Sequence, residues 1–248
     1  MPLTFPAIMG SDFAGTVTQV GAQVIAVRPG TQVYGTSFDG GTYAEYLRVA
    51  ATGEFAALPA SLDVVHAAAL PMAGMTALGA LDTAALAKGA VLLIVGGAGG
   101  LGTFAIQMAA RMGAHVIATA RTEDQEYIRS LGAAETVDFT KDDVVEAVRT
   151  SHPGGVDAVL DVVSGSAAIG HVAQALRTGG RLLSTVYAVD AGQGHHCPVR
   201  QFFHTRDPFQ PGQLRRSCRS TLDRLLHLRV SQAPRLPWES TWQHSSHW

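Results

Sequence analysis

The residues best suited to chemistry form a glycine-rich segment, Gly97-Ala98-Gly99-Gly100-Leu101-Gly102, with the spacing G-x-G-x-x-G. Without side chains, such a segment lets a pyrophosphate approach backbone N–H groups at a helix start, where the helix dipole favours an anion. The turn needs backbone angles that glycine adopts at low cost, and Gly102 lets helix and strand pack closely. The alternative is a structural turn without a ligand. Because the segment follows an apolar strand and opens a predicted helix, the sequence favours a dinucleotide-binding turn.

The residues about twenty positions further on indicate which dinucleotide would bind. NAD-binding folds usually place Asp or Glu at the end of the second strand, where the carboxylate holds the ribose 2′-hydroxyl. Here that strand ends Ala120-Arg121-Thr122, and the first acid is Glu123. A guanidinium can pair with the 2′-phosphate that a carboxylate would repel. The sequence therefore predicts NADP(H), with Ala120 and Arg121 at the cofactor; a solvated surface arginine is the alternative.

The elements that must position these residues alternate regularly between residues 90 and 187. Val91–Val95 is a continuous apolar run, typical of a strand buried on both faces. Further strands are predicted over 115–119, 136–138, 157–163 and 181–186, and helices over 101–112, 123–131, 142–149 and 166–176. Strands separated by single helices pair in parallel through right-handed crossovers. The predicted fold class is α/β, with a doubly wound parallel (Rossmann) sheet in which five strands are visible.

Two segments precede this sheet. Residues 1–60 carry short β-branched runs, at 16–20 and 32–34, between glycine and proline turns, which predicts part of a β domain. Residues 61–89 carry small apolar residues at helical spacing and form a connecting helical segment. Pro71 and Gly74 are expected to break that segment into two pieces. Residues 90–187 are then the NADP-binding domain.

The segment 188–248 differs in composition from the rest. It holds 8 of the 18 basic residues, 4 acids and 3 alanines, whereas residues 1–187 hold 35 alanines. We expect an atypical, poorly ordered tail with a helix over 220–228, and hypothesise that it derives from a shifted reading frame or a mispredicted exon. Its His195-His196-Cys197, His204 and Cys218 match no metal-ligand spacing, so no metal site is predicted there.

Charge and hydropathy exclude two classes of partner. The net charge is −2, from 18 basic and 20 acidic residues, and lacks the basic excess of nucleic-acid-binding proteins. The 22 uncharged residues from Gly89 to Ala110 are long enough for a membrane span, but six of them are glycines, which favours a strand, a turn and a helix. The first residues lack the basic start and apolar run of a signal peptide. The expectation is a cytoplasmic protein that binds neither membranes nor nucleic acid.

Residues 8–187 resemble the medium-chain dehydrogenase/reductase superfamily, and within it the zinc-independent quinone oxidoreductases of the zeta-crystallin type. Six segments carry the resemblance in the family's order: Ile8–Gly15, Gly41–Tyr46, Ala68–Ala77, Gly96–Gly102, Leu131-Gly132-Ala133 and Gly179-Gly180-Arg181. Family members carry further residues before Ile8, and after Val186 they continue with sheet strands. The resemblance therefore implies that this chain starts inside the β domain and has an atypical C-terminus.

The resemblance implies a partial GroES-like β domain packed on the dinucleotide domain. It also implies hydride transfer from NADPH to a quinone or other α,β-unsaturated carbonyl. Thr76 would lie near the nicotinamide, and Gly97 to Gly102 under the pyrophosphate. The expected partner is a small quinone or enone, and a homodimer is left open. Tyr43 and Tyr46 are candidate proton donors or packing residues, so no catalytic residue is assigned.

Other residues limit or extend this assignment. The zinc-dependent branch has His-Glu where this chain has Ser11-Asp12, and a metal ligand where it has Met72, so no zinc is predicted. Asp161 ends a strand at the carboxyl edge and either faces the cofactor or caps the next helix. A non-catalytic NADPH-binding fragment and an enoyl-reductase module are the alternative functions.

Overall fold

The computed structural model describes residues 5–186, 199–201 and 225–230. Two compact units make up the chain: residues 1–72 with 208–248, and residues 73–207. Most of the predicted tail, including the histidines and cysteines at 195–218, lies outside the described residues. None of the helices in the described ranges is long and apolar enough to cross a bilayer.

The elements run in chain order as follows: β1 (Asp12–Val20), β2 (Gln32–Thr36), β3 (Tyr46–Ala50), β4 (Glu54–Ala57), α1 (Val64–Ala68), α2 (Pro71–Ala84), β5 (Val91–Val95), α3 (Gly100–Arg111), β6 (His115–Ala120), α4 (Gln125–Ser130), β7 (Glu135–Asp138), α5 (Val144–Ser151), β8 (Val156–Asp161), α6 (Ser166–Val172), β9 (Leu176–Ser184), β10 (Val199–Gln201) and β11 (Leu225–Val230). Short 3-10 turns precede α4, at Thr122–Asp124, and follow α6, at Ala173–Ala175.

The first unit contains an antiparallel sheet with the strand order β3-β11-β1-β2-β4. Its core lies on one face and includes the buried Phe13, Val17 and Val33. Alternate residues of β1 and β2 supply these side chains, as expected of strands with one buried face. An antiparallel sheet at this place agrees with the β domain that the sequence predicts for residues 1–60.

The helix predicted over 220–228 is wrong where the structure describes it. Leu225–Val230 is strand β11, which pairs antiparallel with β1 on one side and β3 on the other. Pairing on both sides satisfies the backbone hydrogen bonds of this segment, and that tertiary gain overrides a weak local helix preference.

The second unit contains a parallel sheet with the order β10-β9-β8-β5-β6-β7. From β5 the chain moves outward through β6 and β7, then returns to the other side of β5 with β8 and β9. This is the Rossmann strand order, whose direction reverses beside the first strand. The predicted doubly wound sheet is confirmed, and β10 adds a sixth strand to the predicted five.

Helices cover both faces of this sheet. Leu92 and Ile94 of β5 join one buried cluster with residues of α2, α3 and α4, whereas Leu93 and Val95 join the other with residues of α5 and α6. Successive strand residues point to opposite faces, so a strand buried on both sides must be apolar throughout. The run Val91–Val95 therefore has no polar position.

The predicted break of the connecting segment occurs at Pro71 but not at Gly74. Pro71 is the first residue of α2, a position where its missing N–H costs nothing. Gly74 lies inside the same helix, where α2 accommodates it with a modest loss of helix propensity.

Candidate cofactor-binding site

The glycine turn joins β5 to α3 at the carboxyl edge of the parallel sheet, beside the point where the strand order reverses. Its left-handed residue is Gly96, with φ of +95°, which precedes the predicted motif. The sequence-based expectation placed the special backbone angles within Gly97 to Gly102, and none of its four glycines has a positive φ. Gly96 donates to Thr119 Oγ1 at 2.9 Å and Gly97 to Thr119 O at 3.0 Å, so the end of β6 fixes the turn.

The four motif glycines fall into two pairs. A Cβ at Gly102 would lie 2.2 Å from Gly96 O, and one at Gly97 would lie 2.9 Å from Ala118 Cβ. These two glycines therefore allow close packing inside the protein. A Cβ at Gly100 would meet nothing within 4 Å, and one at Gly99 only Gly96 O at 3.5 Å. Gly99 and Gly100 therefore keep space open outside the turn.

The first turn of α3 can bind an anion. Gly99 is its N-cap residue and provides no side-chain hydrogen bond to the helix. The N–H groups that begin an α-helix have no partner within the helix, and the helix dipole adds partial positive charge there. The first turn also holds no acidic residue. A pyrophosphate fits this end of the helix in shape and in charge.

A cavity of about 350 Å³ lies against this turn. Five of the predicted residues line it: Gly99, Gly100, Leu101, Ala120 and Arg121. The others are Gly96, Ala98, Thr119, Asp124, Phe139, Val162 and Val163. Gly97, Gly102 and Thr76 are not among the lining residues, and Thr76 lies half-buried on α2.

The apolar walls of this cavity were missed by sequence reasoning. Phe139 follows the last residue of β7, and Val162 and Val163 follow the last residue of β8. Phe139 and Val163 are 51% and 61% exposed, although both are large apolar side chains. Their place just after a parallel strand is the signal that could have identified them, since ligands in such sheets bind outside the carboxyl ends of strands.

Arg121 extends from the end of β6 and is 64% exposed. Its nearest charged partner is Glu123, whose Oε1 lies 4.0 Å from Arg121 Nη1. Such an exposed pair is weak and easily exchanged for a better anion. Lys141 adds a second cation, with Nζ 2.6 Å from Thr122 Oγ1.

Asp138 holds in place the segment that carries Arg121 and Lys141. It ends β7 and is buried, and it accepts hydrogen bonds from the hydroxyls of Thr122 and Thr140. These bonds, with the Thr140 N–H and the nearby charge of Lys141, hold the pKa of Asp138 well below its usual range. The carboxylate therefore stays ionised and hydrogen-bonded within the protein, and its bond to Thr122 fixes the segment that follows Arg121.

Asp161 performs neither of the roles considered from the sequence. Its Oδ1 accepts from the N–H groups of Val163, at 3.0 Å, and Ser164, at 2.8 Å, so it caps the turn after β8. Helix α6 begins after Gly165, which gives no side-chain cap. The other oxygen, Oδ2, is buried and has no hydrogen-bond partner among the residues that the structure describes. Asp161 does not line the cavity.

The positions that hold zinc in the alcohol dehydrogenase branch lie in the first unit. Met72 N–H donates to Asp12 Oδ1 at 3.1 Å, and a cavity of about 750 Å³ is lined by Ser11 and Met72 among others. Burial raises the pKa of Asp12 despite the hydrogen bonds that it accepts. A hydroxyl, a thioether and one carboxylate already bound to the backbone are a poor donor set for zinc.

The two candidate proton donors lie at the surface. Tyr43 is 79% exposed and Tyr46 is 59% exposed. Neither is among the residues that line the cavity of about 750 Å³ beside Ser11 and Met72.

Two family models match the chain. The alcohol dehydrogenase GroES-like domain matches residues 1–60, and the zinc-binding dehydrogenase family matches residues 100–210. Among known proteins, 2-methylene-furan-3-one reductase of Solanum lycopersicum is 37% identical over 169 residues, which are 64% of this chain and 42% of the relative. The chloroplastic NADPH-dependent alkenal/one oxidoreductase of Arabidopsis thaliana is 32% identical over 194 residues, 74% of this chain and 48% of the relative.

The fold is also similar to that of a solved quinone oxidoreductase. The Escherichia coli quinone oxidoreductase, solved in complex with NADPH, superposes with a TM-score of 0.67 and 25% identity over 74% of this chain and 57% of that one. The chain thus spans about half the length of the proteins it matches.

Proposed function

We propose that this chain, which belongs to the medium-chain dehydrogenase/reductase superfamily and its quinone oxidoreductases, binds NADP(H) and transfers hydride from NADPH to a quinone or other α,β-unsaturated carbonyl. The observation that carries the proposal is the open pair Gly99 and Gly100 at the start of α3, beside a cavity that Arg121 lines. A relative named as an NADPH-dependent alkenal/one oxidoreductase, and a similar structure solved in complex with NADPH, support the choice of cofactor.

Each part of the cofactor has residues suited to it. The N–H groups of Gly100 and Leu101 would hold the pyrophosphate, and Arg121 would pair with the 2′-phosphate, with Lys141 close by. Phe139 and Val163 provide apolar surface for a nucleotide base. As the family resemblance implies, Thr76 would lie near the nicotinamide. When bound, the nicotinamide supplies the hydride.

The donor set in the first unit supports an acceptor that needs no metal. Ser11, Asp12 and Met72 together are a poor donor set for zinc, so the acceptor would already be electron-poor. Quinones and enones meet this need because the hydride produces a delocalised anion, which is then protonated. The protein would hold donor and acceptor in near-attack geometry and exclude water.

A non-catalytic NADPH-binding protein is the second candidate, because the chain spans only 42% of the first relative. It would retain the cofactor site of the second unit without turnover. The homodimer and the cytoplasmic location remain predictions in either case.

Cofactor preference is tested by titrating the protein with NADPH and NADH, followed by nucleotide fluorescence, in Arg121→Gln and in a matched control, Arg111→Gln, exposed at the end of α3. Loss of a charge-assisted bond to phosphate is expected to weaken NADPH binding about tenfold or more in Arg121→Gln, and to leave NADH binding unchanged. Arg111→Gln should match the wild type. Equal losses for both nucleotides would overturn the role given to Arg121.

Activity separates the two candidates. NADPH-dependent reduction of 1,4-benzoquinone, followed by the absorbance of NADPH, is expected for the oxidoreductase. Tight NADPH binding without turnover of benzoquinone or of an α,β-unsaturated ketone would leave the binding protein as the function. Retention of neither nucleotide would overturn both candidates.

A further inference from the structure

A second cluster of chemically active side chains lies at the opposite edge of the parallel sheet. His115 is the first residue of β6, Glu135 is the first residue of β7, and His152 follows the last residue of α5. All three belong to the second unit. Because the glycine turn lies at the carboxyl ends of the strands and this cluster at their amino ends, the two sites are separated by the length of the sheet.

The three side chains converge on one atom. Glu135 Oε1 lies 2.6 Å from His115 Nε2 and 2.8 Å from His152 Nε2. One ligand atom from each residue lies within 4.8 Å of the others. The two imidazole rings are 5.5 Å apart and tilted by 58°. The rings thus do not stack face to face, and both direct a nitrogen at the same carboxylate.

Backbone hydrogen bonds hold each of these residues in place. His115 N donates to Ala90 O at 2.8 Å, and His152 N donates to Val148 O at 2.7 Å. Glu135 pairs with Ile117 in the ladder between β6 and β7. The cluster is therefore positioned before any ligand arrives, which reduces the entropy lost on binding.

The cluster also has the charge and access that a cation needs. Burial raises the pKa of Glu135, but hydrogen bonds from both histidines and from Ser151 outweigh it, and the pKa is lowered overall. The side chains of His115, Glu135 and His152 are 40%, 35% and 22% exposed, so solvent reaches all three. The site is thus an accessible carboxylate between two imidazoles.

We propose that His115, Glu135 and His152 form a binding site for a divalent transition-metal ion, with Zn²⁺ the ion that fits best. Two imidazole nitrogens and one carboxylate oxygen are a known zinc ligand set, with water in the fourth position. Zinc bonds of about 2.1 Å place tetrahedral ligands about 3.4 Å apart. The distance from Glu135 Oε1 to each histidine nitrogen therefore needs to lengthen by less than an ångström from 2.6 and 2.8 Å, which partly exposed side chains permit.

On binding, each imidazole presents an unprotonated Nε2 to the ion, and its proton moves to Nδ1 or to solvent. No redox step takes place. The ion would join β6, β7 and the end of α5, and would stabilise the second unit by its preference for the folded chain. This site does not depend on the proposed function, since none of its residues lines the cofactor cavity.

The test uses the full chain, titrated with ZnCl₂ and followed by calorimetry and by thermal unfolding. His115→Gln and His152→Gln are each expected to weaken the binding of one Zn²⁺ at least about tenfold and to abolish the rise in Tm. The matched control is His171→Gln, because His171 is also paired with a carboxylate, Asp143, at 2.8 Å in the same unit. His171→Gln should bind zinc as the wild type does.

A double variant separates this site from residues 188–248, which hold six histidines and both cysteines. Loss of one bound Zn²⁺ per chain in a His115→Gln/His152→Gln double variant would support the proposal, and binding with wild-type stoichiometry and affinity in that variant would overturn it. Absence of stoichiometric binding in the wild type would overturn it as well. Substitution with Co²⁺ gives an independent readout, because a tetrahedral site produces strong visible absorption that both variants should lose.

Discussion

The two edges of the parallel sheet use opposite means to prepare a binding site. At the carboxyl edge, the candidate binding groups are backbone N–H groups beside open space. An added Cβ at Gly99 or Gly100 would point into that space. At the amino edge, side chains converge, and Glu135 Oε1 lies within 2.8 Å of two histidine nitrogens. The first site depends on the absence of side chains and the second on their presence. Substitutions should therefore affect the two edges in different ways.

The largest effect is expected from Gly102→Ala. The new Cβ would lie 2.2 Å from Gly96 O and 2.8 Å from Gly97 Cα, so the backbone of the turn must move. Overpacking of this kind costs about 1–3 kcal/mol of stability, and the displaced turn should weaken NADPH binding about a hundredfold. Chemical unfolding and NADPH titration measure the two losses. Wild-type behaviour in both would show that the turn is not the tight contact described above.

Gly100→Ala should separate binding from stability. Within the described part of the chain, its Cβ would meet no atom within 4 Å, and alanine is the better helix former, so Tm should not fall. The methyl group occupies the space where a pyrophosphate would lie, which should weaken NADPH binding about tenfold. Gly154→Ala is the matched control, because Gly154 also has open space around its Cβ direction but lies away from the cavity. A fall in Tm without a change in affinity would contradict the assignment of Gly100 to the ligand side.

Glu135→Gln, at the amino edge, should lower stability without changing NADPH affinity, the opposite of the result expected for Gly100→Ala. Replacing charge-assisted bonds to His115 and His152 by neutral ones is expected to cost about 1 kcal/mol at neutral pH and to leave NADPH binding unchanged. Glu126→Gln, at an exposed position on α4, is the control.

The cost of Glu135→Gln should depend on pH in one direction. The pKa of Glu135 is lowered in the folded chain from an ordinary value of 4.5, so its carboxylate stabilises the fold above that pH. This contribution is lost as the pH falls through the lowered pKa. The difference in unfolding free energy between Glu135→Gln and wild type should therefore shrink below pH 4.5, and a growing difference would contradict it.

The smallest effect is expected from Glu123→Gln. Glu123 Oε1 lies 4.0 Å from Arg121 Nη1 and competes with a 2′-phosphate for that guanidinium. Removing its charge should raise NADPH affinity about two- to threefold, because an exposed ion pair contributes less than about 1 kcal/mol. NADH affinity should not change. Titrations at low and high salt check the electrostatic origin, since the gain should disappear as salt screens it.

The carboxyl edge could be predicted from the sequence because its signals are local. The apolar run Val91–Val95, the glycines and Arg121 lie within about thirty residues, and the periodicity of strands and helices places them together. Even so, the left-handed angle occurs at Gly96, one residue before the motif. The motif records which residues are glycine, but contacts with Thr119 decide which glycine bends the chain.

The amino edge could not be predicted in this way. His115, Glu135 and His152 are 20 and 17 residues apart and belong to no spacing rule. Only the parallel register, in which Ile117 pairs with Glu135, brings the carboxylate beside the start of β6. Strand β11 shows the same limit, because its pairing with β1 and β3 overrode the helix that local sequence favoured.

The position of β11 has a consequence for biosynthesis. β1 and β3 both pair with a strand that lies more than 170 residues later in the chain, so the ribosome releases their partner long after they have emerged. The strands from β5 to β9 are instead complete by Ser184, and their most distant pairing, β5 with β8, spans 66 residues, as between Leu92 and Ala158. Because distant pairings form slowly, the parallel sheet of the second unit is expected to form first during translation, while the edges of β1 and β3 stay unpaired and open to chaperones until β11 is synthesised.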